Sequence, residues 1–459
     1  MASDPADGML QRAREVLEAE FAHLPEFQNP LDEEAMKRVL QLAAHRLGDN
    51  FPYFHPLYAG QMLKPPHPVA RAAYALAMRI NPNNHALDGG RASSQMEVEA
   101  VEAIAAMFGW DRKSNGANGG YLGHLTSGGT MANLEALWIA GQVSQGKRVV
   151  GSEQAHYTHG RISGVLRLPY ASIAADGRGR MSLEALEREL RKGDVGTVVA
   201  TLGTTAMGAV DPLDQILSLR ARYGFRVHVD AAYGGYFTLI PEELDECARR
   251  AFAAIGEADS IVIDPHKHGL QPNGCGCVLF RDPALGRFYK HNSPYTYFTS
   301  KDLHLGEISL ECSRAGAAAV ALWATQQFLP LTTGGEFARG LASSRKAARG
   351  LDRRLRDDVR FVPLAAGGPE LDIVVWQVKA EAVVEASARA QAVFGRCAEK
   401  DLHLALVQLP HAWFGRSAEA ESGDLVTCLR SVLMKPEHET WLDRIWERLS
   451  VSAGEVLKA

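Results

Sequence analysis

Lys267 stands in SIVIDPHKHGLQPNGCGCVLF, Ser260 to Phe280, between His266 and His268. A β-branched run leads into it and a Gly/Cys-rich return leads out, which sets a lysine at the end of a strand that reads as buried. In a dry site the charged form of lysine is disfavoured, and the neutral amine can form a Schiff base with an aldehyde. The same lysine could equally cap the strand and reach solvent. Asp230 ends a second apolar run in VHVDAAYGG, and small residues follow it. A buried carboxylate needs a cationic partner. A protonated ring nitrogen would be one, letting the ring act as an electron sink; a helix N-cap or a magnesium ligand is the alternative.

TSGGTMANLEAL brings Ser127, Gly128, Gly129 and Thr130 to the entry of a helix. Free backbone N–H groups and the helix dipole favour a phosphate there. The spacing is neither that of a nucleoside-triphosphate loop nor that of a dinucleotide turn, and a plain glycine-rich turn would look the same. His156, in SEQAHYTHG, follows the short run RVVGS, where a flat ring can stack on a planar cofactor. His159 nearby could be mistaken for a metal ligand, and a lone histidine is more often a satisfied core or surface residue. A Schiff-base lysine, a ring-nitrogen aspartate, a phosphate-cradling turn and a stacking histidine are together what pyridoxal phosphate requires. Each signal is weak alone; their order, each near a strand end, carries the reading.

Such residues need a frame that gathers strand ends. RVVGS, GTVVATLGT, FRVHVDAAY and SIVIDPHK are short apolar runs ending in small or polar residues. MSLEALERELRK and LDQILSLRARYG, with helical spacing, lie between them, which predicts parallel βαβ units and an α/β fold. Ligands bind at the carboxyl ends of such strands, where Glu153, His156, Thr201, Thr204, Asp230 and Lys267 collect. Residues 1–60 read as a helical arm that ends in an irregular, proline- and aromatic-rich segment and could lie across a partner subunit. Residues 61–330 read as the large α/β domain. After LPLTTGG the character changes, and 331–459 read as a smaller α+β domain with strands in LDIVVWQVK and LVTCLRSVLM.

The chain has 459 residues, 46% hydrophobic and 22% charged, with a net charge of −5. That balance gives no global pull toward nucleic acid or anionic membrane. No run of 18 apolar residues predicts a membrane span, and the acidic start MASDPADGML lacks a signal-peptide pattern. Six scattered cysteines do not form a disulfide framework, and Cys275 and Cys277 lack a second pair at zinc spacing. The expectation is a reduced, cytoplasmic protein without a metal site.

TSGGTMANL, QAHYTHG, VVATLGTT, HVDAAYGG, DPHKHG and ECSRAG, spread over roughly residues 50–330, resemble the pyridoxal-phosphate-dependent group II amino-acid decarboxylases, the aromatic-amino-acid, tyrosine and glutamate decarboxylase group. The resemblance implies a fold-type-I, aspartate-aminotransferase-like architecture and a homodimer with sites at the subunit interface. It implies Lys267 as the cofactor-linked lysine, His156 stacked on the ring, Asp230 at the ring nitrogen and Ala232 against the ring. Gly129, Thr130, Asp264 and His266 would surround the phosphate, and Thr201 would sit near the ring. In this family a loop tyrosine returns a proton after carbon dioxide leaves. HNSPYTYFTSKD offers Tyr295, preferred because SPYT resembles the form in the archaeal tyrosine/aspartate decarboxylase branch, and Tyr297. Arg314, in ECSRAG, could bind phosphate or a substrate carboxylate, or form a structural ion pair. Tyr53, Phe54, His55 and Tyr58 would contribute to a substrate pocket, with Asn83, Asn84 and His85 as polar candidates. Aromatic amino acids are the first expectation for the substrate, aspartate or glutamate the next. The rivals are a carbon–carbon lyase, an aldehyde synthase (for which Phe298 is noted) and an inert relative that keeps the fold.

Overall fold

The computed structural model describes residues 5–27, 30–85, 89–110, 120–290, 308–365, 367–415 and 424–458. Four helices lead in: α1 (Pro5–Glu20), α2 (Glu33–Leu47), α3 (Pro68–Ala77) and α4 (Arg91–Met107). The main sheet has seven strands: Leu122–Thr126 (β1), Arg148–Ser152 (β2), Tyr170–Ile173 (β3), Val195–Thr201 (β4), Arg226–Asp230 (β5), Ser260–Ile263 (β6) and Gly276–Phe280 (β7). Their order is β1-β7-β6-β5-β4-β2-β3. β7 runs antiparallel to β1 and β6, and the pairs from β6 to β3 are parallel. Helices α5 (Gly129–Val143), α6 (Thr158–Val165), α7 (Leu183–Leu190), α8 (Leu213–Tyr223) and α9 (Glu246–Ala253) connect them. Every residue of β4 and β6 is buried, as expected of strands covered on both faces, whose sequences read as continuous apolar runs. Local signals set the helix limits. Ser182 Oγ accepts from Ala185 N–H at the start of α7, and Gly224, left-handed at φ 67°, stops α8.

Helix α10 (Gly316–Phe328) leads to α11 (Glu336–Asp357) and a second, antiparallel sheet. Its strands are Phe361–Pro363 (β8), Ile373–Val378 (β9), Ala405–Pro410 (β10) and Leu425–Val432 (β11), in the order β10-β11-β9-β8. Helices α12 (Val383–Ala398) and α13 (His438–Lys458) complete this part, with Trp376, Leu351, Leu429 and Leu449 in its core.

Three features of this frame involve residues read from the sequence. First, the end of the expected N-terminal arm joins the second sheet: Tyr58 bridges His403, and Val432 N–H donates to Ala59 O at 2.7 Å. Second, the aromatics expected in a substrate pocket pack with that sheet's elements. Tyr53 stacks edge-on against Tyr58 at 4.7 Å and His55 against Trp441 at 5.0 Å; Phe54 is exposed and borders a separate cavity. Within one chain none of them lines the cavity around Lys267. Third, Arg314 forms a buried ion pair, one of the two roles its sequence allowed. It is buried, pairs with Glu97 through Nη1, and donates from Nη2 to Asn84 O at 2.9 Å. Asn84 is itself held by Glu97 at 2.7 Å, and Asn83 Oδ1 accepts from Arg314 N–H. Removing one partner of a buried pair leaves a charge uncompensated. Arg314→Met should therefore lower stability in urea by about 3 kcal/mol or more; an unchanged midpoint and slope would show that the pair does not hold this part of the frame together.

Candidate active site

The carboxyl ends of β4, β5 and β6 and the turn after β1 meet around a cavity of about 310 Å³. Gly129, Thr130, His156, Thr201, Asp230, Ala232, Asp264, His266 and Lys267, all read from the sequence, line it. Tyr295, Tyr297 and Phe298 lie outside the described residues.

At one end is the turn into α5. Gly128 has φ 150° and ψ 175°, a conformation essentially restricted to glycine. A Cβ on Gly276 would come within 2.6 Å of Gly128 C, so β7 can lie against this turn only without a side chain there. A Cβ on Gly129 would meet Asp264 Oδ2 at 2.6 Å. Asp264 follows β6, and its Oδ2 accepts from Lys267 Nζ at 2.9 Å while its Oδ1 is buried without a partner among the described residues. His266 donates from Nδ1 to Cys275 O at 2.7 Å, and its Nε2 lies 3.7 Å from Asp264 Oδ2.

At the other end is Asp230. Burial pushes its carboxyl up, but the hydrogen bond and charge of His159, the charge of Lys267 and the Ala232 N–H outweigh that and hold it well below the carboxylate range. His159 Nε2 is 2.8 Å from Oδ2, Asn133 Nδ2 donates to the same oxygen at 3.4 Å, and Ala232 N–H donates to Oδ1 at 3.1 Å. Asn133 is oriented in turn by His228, whose Nε2–H donates to Asn133 Oδ1 while its Nδ1 accepts from Ser260 Oγ, both at 2.8 Å. Burial pushes His228 down to about 3, so it is neutral and can play both parts.

Between the two ends lie His156 and Thr201. His156 Nδ1 is 2.8 Å from Thr158 Oγ1, and burial lowers its pKa, so near neutral pH it is an uncharged, flat ring. Thr201 N–H is tied to Asp211 Oδ2 at 2.8 Å, and Thr201 Oγ1 has no partner among the described residues. The second sheet also reaches the cavity. Tyr233 donates to Asp372 at 2.5 Å, and Arg430 of β11 donates to Thr205 O at 2.6 Å and Ala206 O at 3.0 Å. His159, Asn133, Thr205, Tyr233 and Arg430 escaped the sequence reading. Only His159 gave a signal, its place three residues after His156, and that could be mistaken for a metal ligand's.

A family model described as the pyridoxal-dependent decarboxylase conserved domain matches residues 13–379. An L-tyrosine decarboxylase of Enterococcus faecium is 28% identical, the match covering 71% of this chain and 69% of that protein. A probable L-tyrosine/L-aspartate decarboxylase of Methanothermobacter thermautotrophicus is 29% identical, covering 69% and 82%. The solved structure of Oryza sativa TDC with PLP and tryptamine superposes with a TM-score of 0.78 at 19% identity, covering 96% of this chain and 91% of that one. That likeness establishes the fold, fold type I. No helix among the described residues is long and apolar enough to cross a membrane.

The cavity suits pyridoxal phosphate on its own chemistry. A glycine turn at a helix N-terminus can take the phosphate, an ionised buried aspartate can take a cationic ring nitrogen, and Thr201 Oγ1 is an orphaned polar atom awaiting a partner. A lysine amine stands among them. Lys267→Ala should abolish the visible absorption of the protein loaded with pyridoxal phosphate, together with turnover; a retained band and rate would remove Lys267 from the chemistry. Asp230 has a depressed folded pKa, so its contribution to stability is complete above the ordinary carboxyl value of about 4 and is lost as pH falls below it. Asp230→Asn should flatten the acid limb of the stability–pH profile, and an unaltered limb would contradict the depressed pKa.

Proposed function

The chain belongs to the pyridoxal-dependent decarboxylase family, and from that premise we propose that it converts an aromatic L-amino acid (tyrosine, tryptophan or DOPA) to its amine and carbon dioxide. The observation that carries the reading is the meeting of Lys267, Asp230 and the Gly128–Thr130 turn around one cavity. Pyridoxal phosphate, when bound, supplies an aldehyde and a ring that takes up the electron pair of the broken bond.

The residues divide the remaining work. Lys267, held by Asp264, would be the residue whose amine holds the cofactor through its aldehyde. Asp230 keeps a proton on the ring nitrogen, which stabilises negative charge as it develops. Gly129 and Thr130 hold the phosphate at the start of α5, with His266 beside them. Asp264 lies at the same end, and its Oδ2 accepts from Lys267 Nζ at 2.9 Å, so it also holds the lysine. His156 covers the ring and orients the substrate carboxylate, Ala232 leaves room beneath a flat ring, and Thr201 offers its hydroxyl. Proton return to Cα falls to Tyr295, with Tyr297 and His156 as the other candidates.

The lining supports a neutral aromatic side chain. Ser127, Met131, Thr158, Thr205 and Tyr233 complete the lining, with the hydroxyls of Thr158 and Tyr233 already bonded to His156 and Asp372. Among the described residues no arginine lines it, and one oxygen of each carboxylate, Asp230 and Asp264, is held by His159 and Lys267. An acidic substrate such as aspartate would call for a cation at the side-chain end. Of the two relatives above, one is named for tyrosine and the other for tyrosine or aspartate.

The proposal includes a homodimer. Helix α2 has no buried residue, and Met36, Val39, Leu40 and Leu47 are exposed at helical spacing. An apolar face of that kind suits a second copy of the chain better than water. Two measurements follow. Given the twenty amino acids singly with pyridoxal phosphate, the protein should release amine and carbon dioxide in equal amounts from an aromatic one; release from aspartate alone would overturn the substrate class. Sedimentation should give a dimer that Leu40→Glu with Val39→Glu shifts toward monomer, and an unshifted dimer would place the interface elsewhere.

A further inference from the structure

His159 is fully buried in α6, and the sole hydrogen-bond partner of its ring among the described residues is Asp230; Nδ1 has none. A hydrogen bond to a carboxylate requires a ring proton on Nε2. A buried ring devoted to one carboxylate oxygen does something the main chain does not. Rotation of an aspartate about its last torsion is broad, and the other donor to Oδ2, Asn133 at 3.4 Å, is long for a hydrogen bond. The backbone donor, Ala232 N–H, meets Oδ1.

We propose that His159 is a positioning residue for Asp230: by donating from Nε2 to Oδ2 it locks the rotation of the carboxylate and keeps it ionised toward the ring nitrogen of bound pyridoxal phosphate. The proposal rests on the role given above to Asp230. His159 touches neither substrate nor cofactor and acts only through that carboxylate. Charge-assisted hydrogen bonds to a carboxylate are the strong ones, so their loss is measurable in cofactor binding as well as in rate.

The test uses the full chain stripped of cofactor and reloaded. His159→Phe keeps a planar ring and removes the donor. It should weaken the dissociation constant for pyridoxal phosphate about tenfold. It should shift the visible absorption maximum of the bound cofactor toward that of Asp230→Asn. It should also lower kcat about 30-fold with KM within about twofold. His159→Gln, whose terminal amide reaches the place of Nε2, should recover all three to within about threefold. A His159→Phe protein with unchanged affinity, spectrum and kcat overturns the proposal. Asp230→Asn then separates the two readings: if it loses affinity and rate, only the role of His159 falls, and if it too is unaffected, the role of Asp230 falls with it. Should His159→Phe fail to fold, the pair His159→Gln and His159→Asn decides. The Asn amide stops short of Nε2 and should show the loss that Gln repairs, and equal behaviour of the two overturns the proposal.

Discussion

An ionised carboxylate at the end of a buried strand is the constraint around which the rest of the site is arranged. Asp230 closes β5, whose preceding residues Val227, His228 and Val229 are all buried. Desolvation would by itself protonate the group, and a neutral aspartate could not keep a proton on a ring nitrogen. The structure answers with donors from three directions: α6 through His159, α5 through Asn133, and its own following loop through Ala232. The outer partners His228 and Ser260 belong to β5 and β6, so the neighbouring strand must hold its register for the Asn133 amide to point the right way.

Helix α5 links the two ends of the cavity. Its first residue, Gly129, stands where a phosphate can meet free N–H groups, and one turn later Asn133 reaches Asp230. A rigid helix therefore fixes the spacing between the phosphate end and the ring-nitrogen end. That spacing depends on close approach at the turn. Gly128 takes a conformation other residues avoid, and Gly276 and Gly129 leave no room for a Cβ. Asp264, on the wall that Gly129 must clear, also grips Lys267. Position and reactivity are coupled through one side chain.

The second sheet matters to the site although it supplies none of the groups read from the sequence. Arg430 donates to the backbone of Thr205, Ala206 and Gly60, so one buried guanidinium pins a cavity loop to the segment that joins the second sheet. Asp372 accepts from Tyr233, whose ring lines the cavity, and pairs with His268, the residue after Lys267, at 3.2 Å. Relative motion of the two sheets would thus be felt at the cavity wall.

The sequence by itself determined the strand ends and the groups on them. Apolar runs ending in polar residues are local facts, and a parallel sheet places such ends on one rim. Lys267, Asp230, His156 and the glycine turn were legible for that reason. The edge strand β1 was not, because the five residues Leu122–Thr126 merge with the turn and helix that follow. Tertiary structure alone decided what stands beside each group. His159 and Asn133 are 71 and 97 positions from Asp230, and no periodicity encodes a hydrogen bond over that distance. The same holds for Arg314, whose ion-pair partner Glu97 lies 217 positions away. It holds as well for the aromatics of residues 53–58, whose ring contacts with one another and with Trp441 no composition encodes. Local chemistry names the groups; burial and pairing across the chain decide their charge, orientation and company.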